Sequence, residues 1–375
     1  MERYLSSHLR LLLKKKLILL MGPRQVGKTT LSKSLVKEAA YYNYDIKKDL
    51  QVFMRQEWDR SKELVIFDEL HKMKKWKLWL KGLYDEGFLE KQKVLVTGSA
   101  RLDIAKKMGD SLAGRFFSLR LNPLDLKELK GRNSAEKNYR KLLLCGGFPE
   151  PFFEGSEKFY GLWKRTHTDL ILRQDMITLE NIRDLDGVET LVELLTQRVG
   201  STISIHSLAE DLDRDDKTIK HWLQVLENLY IVFRVPPKAK NIARGIKKSS
   251  KYYFFDIARV ENGEAAQLEN LVALSLKKEL EFLEDTEGLG FSLSFAKTKD
   301  DKEIDFVIER PKKKPLLIEV KLSDANPAKN FDLFRRFFPQ AECIQLVRQL
   351  DREFSTPSGT KVMSALPYLE NLNLL

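Results

Sequence analysis

The sequence predicts an α/β protein with a parallel sheet first, a helical middle next and a second α/β domain at the C-terminal end. Three observations carry this. Gly22-Pro23-Arg24-Gln25-Val26-Gly27-Lys28-Thr29 follows an apolar run, Leu17 to Met21, and precedes a stretch with helical spacing, Lys28 to Val36. Two further apolar runs, Leu64 to Phe67 and Val94 to Val96, lead into polar residues, the pattern of strands buried on both faces of a parallel sheet. Far downstream, Asp305 and the triplet Glu319-Val320-Lys321 sit in strand-like segments.

Composition narrows the function classes. The 375 residues suffice for two or three domains. The 65 Lys and Arg against 54 Asp and Glu leave a net charge of +11, a bias toward a polyanionic partner. Two cysteines, Cys145 and Cys343, exclude a disulfide framework and a four-thiolate zinc site. With no signal-peptide pattern, the expected location is a reducing cytoplasm. Lys14, Lys15 and Lys16 break the apolar stretch from Leu11 to Met21, so no membrane span is expected.

Strand, glycine loop and helix come in the order that phosphate binding requires. Backbone amides of Gly22, Gln25, Val26, Gly27 and the helix start, with Thr30, are expected to cradle ATP phosphates. Lys28 is expected to reach the β and γ phosphates, and the Thr29 hydroxyl to ligate Mg2+. The second strand delivers Asp68-Glu69 to the ligand crevice at its carboxyl end. There Asp68 is expected to hold the magnesium through water and Glu69 to polarise the attacking water.

The third run, Val94-Leu95-Val96-Thr97-Gly98-Ser99, offers Ser99 as a γ-phosphate sensor. Arg115, after Ser111-Leu112-Ala113-Gly114 and before a strand at Phe116 to Leu121, has two readings. It is either an arginine finger acting from a neighbouring subunit or half of a structural salt bridge.

These motifs, with Thr97-Gly98-Ser99-Ala100 and Gly146-Gly147-Phe148-Pro149-Glu150, resemble the bacterial and archaeal AAA+ ATPases that carry a C-terminal domain of unknown function 4143. The resemblance spans most of the chain and is densest before residue 150. It implies an AAA+ P-loop ATPase domain and favours the finger role for Arg115. Residue chemistry alone assigns nothing to the Gly146 to Glu150 stretch. Where that family usually has an Asp-Thr-Gly-Leu-like segment, this chain has Asp256-Ile257-Ala258-Arg259.

From Asn122 to about Gly200 the pattern is helical, the place of an AAA+ lid; Arg173 and Asp175 in one apolar helix have no role beyond pairing. Ser207 with Glu210 reads as a capping box opening a short helix. The next helix stacks Ile219, Trp222, Leu223, Leu226 and Leu229 on one face, and an apolar strand, Tyr230 to Val235, follows. This order reads as a winged helix. Its outer face offers Lys217, Lys220, His221, Gln224 and Asn228 to a DNA groove, while Glu210, Asp211, Asp213, Asp215 and Asp216 oppose phosphate. Lys238, Lys240, Arg244, Lys247 and Lys248 then form a basic run, either a solvated loop or a phosphate-backbone contact.

After a short strand at Tyr252 to Phe255, a helix from Leu268 to Leu283 carries Glu269 on its apolar stripe. A carboxylate there requires a cation, a donor or a raised pKa. Strands at Phe291 to Phe295, Glu303 to Glu309 and Leu316 to Lys321, a helix at Phe331 to Phe337 and a strand at Cys343 to Val347 complete the order. That order and the Asp305…Glu319-x-Lys321 spacing resemble the restriction-endonuclease-like fold. In that reading Glu269, Asp305 and Glu319 ligate a divalent metal, and Lys321 orients water or donates to the scissile phosphate.

The expected organisation is therefore a P-loop ATPase core over 1–121, a lid-like region over 122–200, a winged helix over 201–236 and a restriction-endonuclease-like domain over 237–375. The leading functional expectation is an ATP-hydrolysing protein that acts on or with DNA. The alternative is a nucleotide-dependent switch or scaffold whose C-terminal domain binds a protein without chemistry. A DNA-translocating motor is the third, with no helicase-specific motif to support it. Expected partners are ATP, DNA and, for an Arg115 acting in trans, a homo-oligomer.

Overall fold

The computed structural model describes residues 1–88, 92–98, 114–171, 176, 182–238 and 249–375. Ser99, Ala100, the Ser111-Leu112-Ala113 stretch, Arg173, Asp175, Lys240, Arg244, Lys247 and Lys248 lie outside the described residues. The chain forms two compact units, Met1–Pro123 with Asn228–Tyr230, and Leu124–Glu227 with Ile231–Leu375.

In the first unit, α1 (Ser6–Leu12) precedes β1 (Leu17–Met21), and the glycine loop leads into α2 (Lys28–Lys33). Then come β2 (Ala39–Asn43), α3 (Lys47–Arg55), β3 (Leu64–Asp68), α4 (Trp76–Asp85), β4 (Lys93–Gly98) and β5 (Phe116–Arg120). The strands lie in the order β2-β3-β4-β1-β5, all parallel. Every residue of β1 and β3 is buried, which is why both read as continuous apolar runs rather than alternating ones. Phe53, Trp58, Phe67, Trp76, Leu80 and Phe88 belong to one core cluster of the unit, and Trp58 and Phe67 meet edge to face at 5.2 Å.

The second unit opens with α5 (Leu126–Leu129), α6 (Ala135–Cys145), α7 (Pro149–Glu154), α8 (Glu157–Asp169) and α9 (Leu185–Thr196). Asp125, Ser134, Ser156 and Asp184 cap four of these, each accepting a backbone N–H three residues on. Next come β6 (Thr202–Ile203), α10 (Ile205–Asp211), α11 (Asp216–Asn228), β7 (Val232–Val235) and β8 (Ser250–Phe254). β8 pairs antiparallel with both β6 and β7. The strand expected at Tyr252 to Phe255 thus closes the small sheet beside the two helices. The cap of α10 is Ser204, which accepts from the Ser207 N–H, so the helix begins one turn before the expected Ser207.

The long α12 (Gly263–Glu287) leads into β9 (Ser292–Lys297), β10 (Glu303–Glu309) and β11 (Leu316–Lys321), which pair antiparallel in succession. After α13 (Asn330–Arg335) the chain adds β12 (Glu342–Val347), β13 (Phe354–Ser355), β14 (Thr360–Ser364) and α14 (Ala365–Glu370). β11, β12 and β14 run parallel, giving a mixed sheet in the order β13-β14-β12-β11-β10-β9. Buried Lys278 of α12 bonds Asp125 at 2.9 Å and Glu128 at 2.7 Å, fastening α12 to α5. Among the described residues no helix is long and apolar enough to cross a membrane.

The Gly146 to Glu150 stretch now has a physical account. Gly146 has φ +70°, and a Cβ there would lie 2.0 Å from Asp256 Oδ1. Glycine therefore lets the C-terminal end of α6 approach a fully buried carboxylate, which accepts from Tyr160 at 3.0 Å and pairs with Arg259 at 3.3 Å. Phe148 packs on Trp163 and His167 with ring centroids 5.1 Å away in each case. This is architecture rather than chemistry.

Candidate functional site

At the C-terminal ends of β1, β2, β3 and β4 the sequence places polar side chains that converge on Asp68. Its Oδ2 accepts from Thr29 Oγ1 at 2.8 Å and from the Tyr41 hydroxyl at 2.7 Å. Its Oδ1 accepts from the Thr97 hydroxyl and from the Glu69 N–H at 3.1 Å. Burial pushes this carboxyl up, but the hydrogen bonds from Thr97, Tyr41 and Thr29 and the charge of Lys28 outweigh it. Asp68 is held below the usual carboxylate range and is ionised at neutral pH. Tyr41 and Thr97 were not expected as members of the site. Their signal was available only in part: each falls near the end of a strand, but which strand lies beside β3 is a tertiary fact.

The loop is built for backbone donors. Gly22 has φ +151°, and a Cβ on it would collide with Leu121 O at 2.2 Å. Gly27, at φ +95°, ends the loop in a conformation that disfavours other residues. Buried Arg3 donates to Val26 O at 2.8 Å and to Asn122 O at 2.6 Å, pinning the loop backbone from outside. Lys28 is buried, and its ammonium donates to Gly22 O at 2.8 Å and Pro23 O at 2.6 Å. Gln25 and Thr30 are exposed at the mouth.

Glu69 adopts a left-handed backbone, φ +54°, unusual outside glycine and a mark of strain at functional positions. Burial pushes its carboxyl up against the charges of Lys28, Arg24 and Lys72. His71, which the sequence reading passed over, is buried with Nε2 3.6 Å from Glu69 Oε2. Burial and the nearby Lys72, Arg24 and Lys28 lower its pKa to about 4, so the ring is neutral. Arg115 donates to Asp85 at 3.1 Å, and its guanidinium lies 5.2 Å from the centre of the Tyr84 ring.

The oxygen set of Thr29 and Asp68 suits Mg2+: an ionised carboxylate and a hydroxyl, already in contact, are hard ligands that can share one small cation. The loop's open backbone and the buried Lys28 suit a phosphate chain.

The second cluster lies between α12, β8, β10 and β11. Lys251 of β8 is fully buried, and its Nζ lies 2.5 Å from Glu303 Oε1, 3.1 Å from Glu269 Oε1 and 3.4 Å from Asp305 Oδ1. Tyr253, two residues on and on the same face, donates to Glu269 Oε1 at 2.7 Å. Asp305 Oδ2 accepts the Val320 N–H at 2.9 Å, and Lys321 pairs with Glu319 Oε1 at 2.7 Å. Burial lowers the Lys251 ammonium's pKa, but Tyr253, Glu269, Asp305 and Glu303 outweigh it and hold it well above the usual lysine value.

The cation that the apolar-stripe carboxylate Glu269 requires is therefore supplied by Lys251. Glu269 Oε1 and both oxygens of Asp305 are engaged by an ammonium, a phenol and a backbone amide, so a divalent metal would have to compete for them. Glu319 Oε2 is buried without a hydrogen-bond partner, and burial together with Asp305 pushes that carboxyl up to about 7. Among the described residues no group of His, Cys, Asp and Glu is arranged to hold a metal.

Residues 14–130 match the family described as an AAA domain, residues 136–261 a domain of unknown function (DUF8612), and residues 265–368 a domain of unknown function (DUF4143). An uncharacterized protein of Mycobacterium tuberculosis is 26% identical over 302 residues, covering 78% of this chain and 67% of its own length. One from Methanocaldococcus jannaschii is 23% identical over 369 residues, covering 87% and 79%. Among solved structures, a RuvB of Thermotoga maritima aligns with a TM-score of 0.32 at 18% identity, over 62% of this chain and 89% of that one. The chain therefore matches an AAA domain over residues 14–130 and a domain of unknown function 4143 over residues 265–368.

Proposed function

We propose that the first unit binds ATP with Mg2+ and hydrolyses it. The observation that carries this is the convergence of Thr29, Tyr41 and Thr97 on an ionised Asp68 beside the loop that buries Lys28. The Lys28 ammonium exchanges its two loop carbonyls for phosphate oxygens as the nucleotide enters. Thr29, and Asp68 through water, would hold magnesium, whose charge would offset that of the phosphates. Glu69, at the strand end beside Asp68, orients water and takes up its proton. Fluorescent ATP analogue binding tests the reading: Lys28→Ala should weaken affinity at least tenfold, and unchanged affinity would reject it.

A second reading concerns the partner. α10 and α11, followed by the antiparallel strands β7 and β8 with β6 alongside, support a winged helix. Lys217, Lys220, His221 and Gln224 are exposed on α11, opposite the buried Ile219, Trp222, Leu223 and Leu226. This face is proposed to contact DNA phosphates. DNA affinity should fall as salt rises and weaken several-fold in Lys217→Ala/Lys220→Ala. Equal affinity in wild type and variant would leave protein binding as the function of this element.

A further inference from the structure

The acidic cluster of the second unit has the residue types of a phosphodiesterase metal centre, yet a protein cation already sits among its carboxylates. An ammonium carries three N–H donors, and Lys251 meets three carboxylates, those of Glu303, Glu269 and Asp305. Its position is fixed from both strands. Lys251 and Tyr253 face α12 from β8, and Glu303 and Asp305 share a face of β10 two residues apart. Glu303 is held in turn by Lys297 at 3.1 Å. The Lys251 Nζ also lies 5.7 Å from the centre of the Phe295 ring, which walls the ammonium from water.

We propose that Lys251 is a built-in cation standing where a carboxylate nuclease centre holds its metal, so that this domain keeps the centre's framework without metal and without phosphodiester hydrolysis. Two features separate this from an ordinary surface ion pair. The ammonium is fully buried, so removing it strands carboxylates in a low-dielectric interior. A divalent ion bound to Glu269 Oε1 and Asp305 Oδ1 would compete for the same two oxygens and be repelled by the ammonium between them. Lys321 is left with Glu319 as an ion pair, with no metal-bound water to orient.

The test is Mn2+ titration of the full chain without nucleotide, read by calorimetry and by the electron paramagnetic resonance of free Mn2+. The wild-type chain should show no Mn2+ binding that depends on Asp305. Lys251→Met should gain a binding site, and Lys251→Met/Asp305→Asn should lose it. Mn2+ binding by the wild-type chain that disappears in Asp305→Asn would overturn the proposal. So would a folded Lys251→Met variant that binds no Mn2+. Should Lys251→Met fail to fold, recovery of its folded state by Mn2+ supports the proposal, and failure of Mn2+ to restore it counts against.

Discussion

Thr29 Oγ1 donates to Asp68 Oδ2 at 2.8 Å, joining the first turn of α2 to the end of β3. The two residues expected to share a magnesium ion are therefore in contact already. The sequence separation of 39 residues is bridged by the parallel sheet, which brings the ends of β1 and β3 to one edge.

Thr97 supports that arrangement from β4. Thr97→Val keeps the volume and removes a donor to a buried carboxylate. It should cost roughly 1–3 kcal/mol of stability, measured by urea unfolding. It should also weaken Mg2+-dependent nucleotide binding, because Asp68 loses part of what keeps it ionised. An unaltered urea midpoint would mean that Thr97 does not hold Asp68.

His71 makes the first unit acid-sensitive. Its folded pKa of about 4 lies below the ordinary 6.5, so the folded chain prefers the neutral ring. That contribution is complete above 6.5 and is lost as pH falls through about 4. The full swing is roughly 3 kcal/mol at most. His71→Leu should flatten the stability profile between these limits, checked by urea midpoints across the window. A variant as acid-sensitive as wild type would show that other groups govern the response.

Gly146→Ala probes the contact with Asp256. The added methyl meets Asp256 Oδ1 and forces a left-handed backbone on alanine. A loss of roughly 2–4 kcal/mol is expected, with ATP turnover by the first unit unchanged. A stability equal to wild type would contradict the assigned geometry.

Lys278→Ala removes the ammonium that the buried Asp125 and Glu128 carboxylates share. The expected cost is about 3–5 kcal/mol. Lys278→Met/Asp125→Asn should recover part of it, as thermal unfolding would show.

Much of the nucleotide site was legible because its residues are local to their strands. A buried parallel strand reads as an unbroken apolar run, so the polar residue that ends it stands out, as Asp68 does after Phe67. What the sequence hid were partners brought in by sheet order: Tyr41 and Thr97 beside Asp68, and Asp85 beside Arg115. The C-terminal cluster shows the same limit more sharply. Glu269, Asp305 and Glu319 were each visible as carboxylates in apolar segments. Lys251 was also visible, a lysine in a strand of aromatic residues, but only its ion pairs with residues of α12 and β10 show whose charge it balances. A metal and a lysine satisfy the same local pattern. Ser99 and most of the basic run after Lys238 lie outside the described residues, and their roles stay expectations.

ATP hydrolysis at Lys28, Asp68 and Glu69 is tested by phosphate release measured alongside ATP binding in one set of proteins. Wild type should bind ATP and release phosphate only with Mg2+. Glu69→Gln should keep binding while turnover falls roughly 10²–10⁴-fold, and Lys28→Ala should lose both. Phosphate release by Lys28→Ala or Glu69→Gln at the wild-type rate would contradict the account.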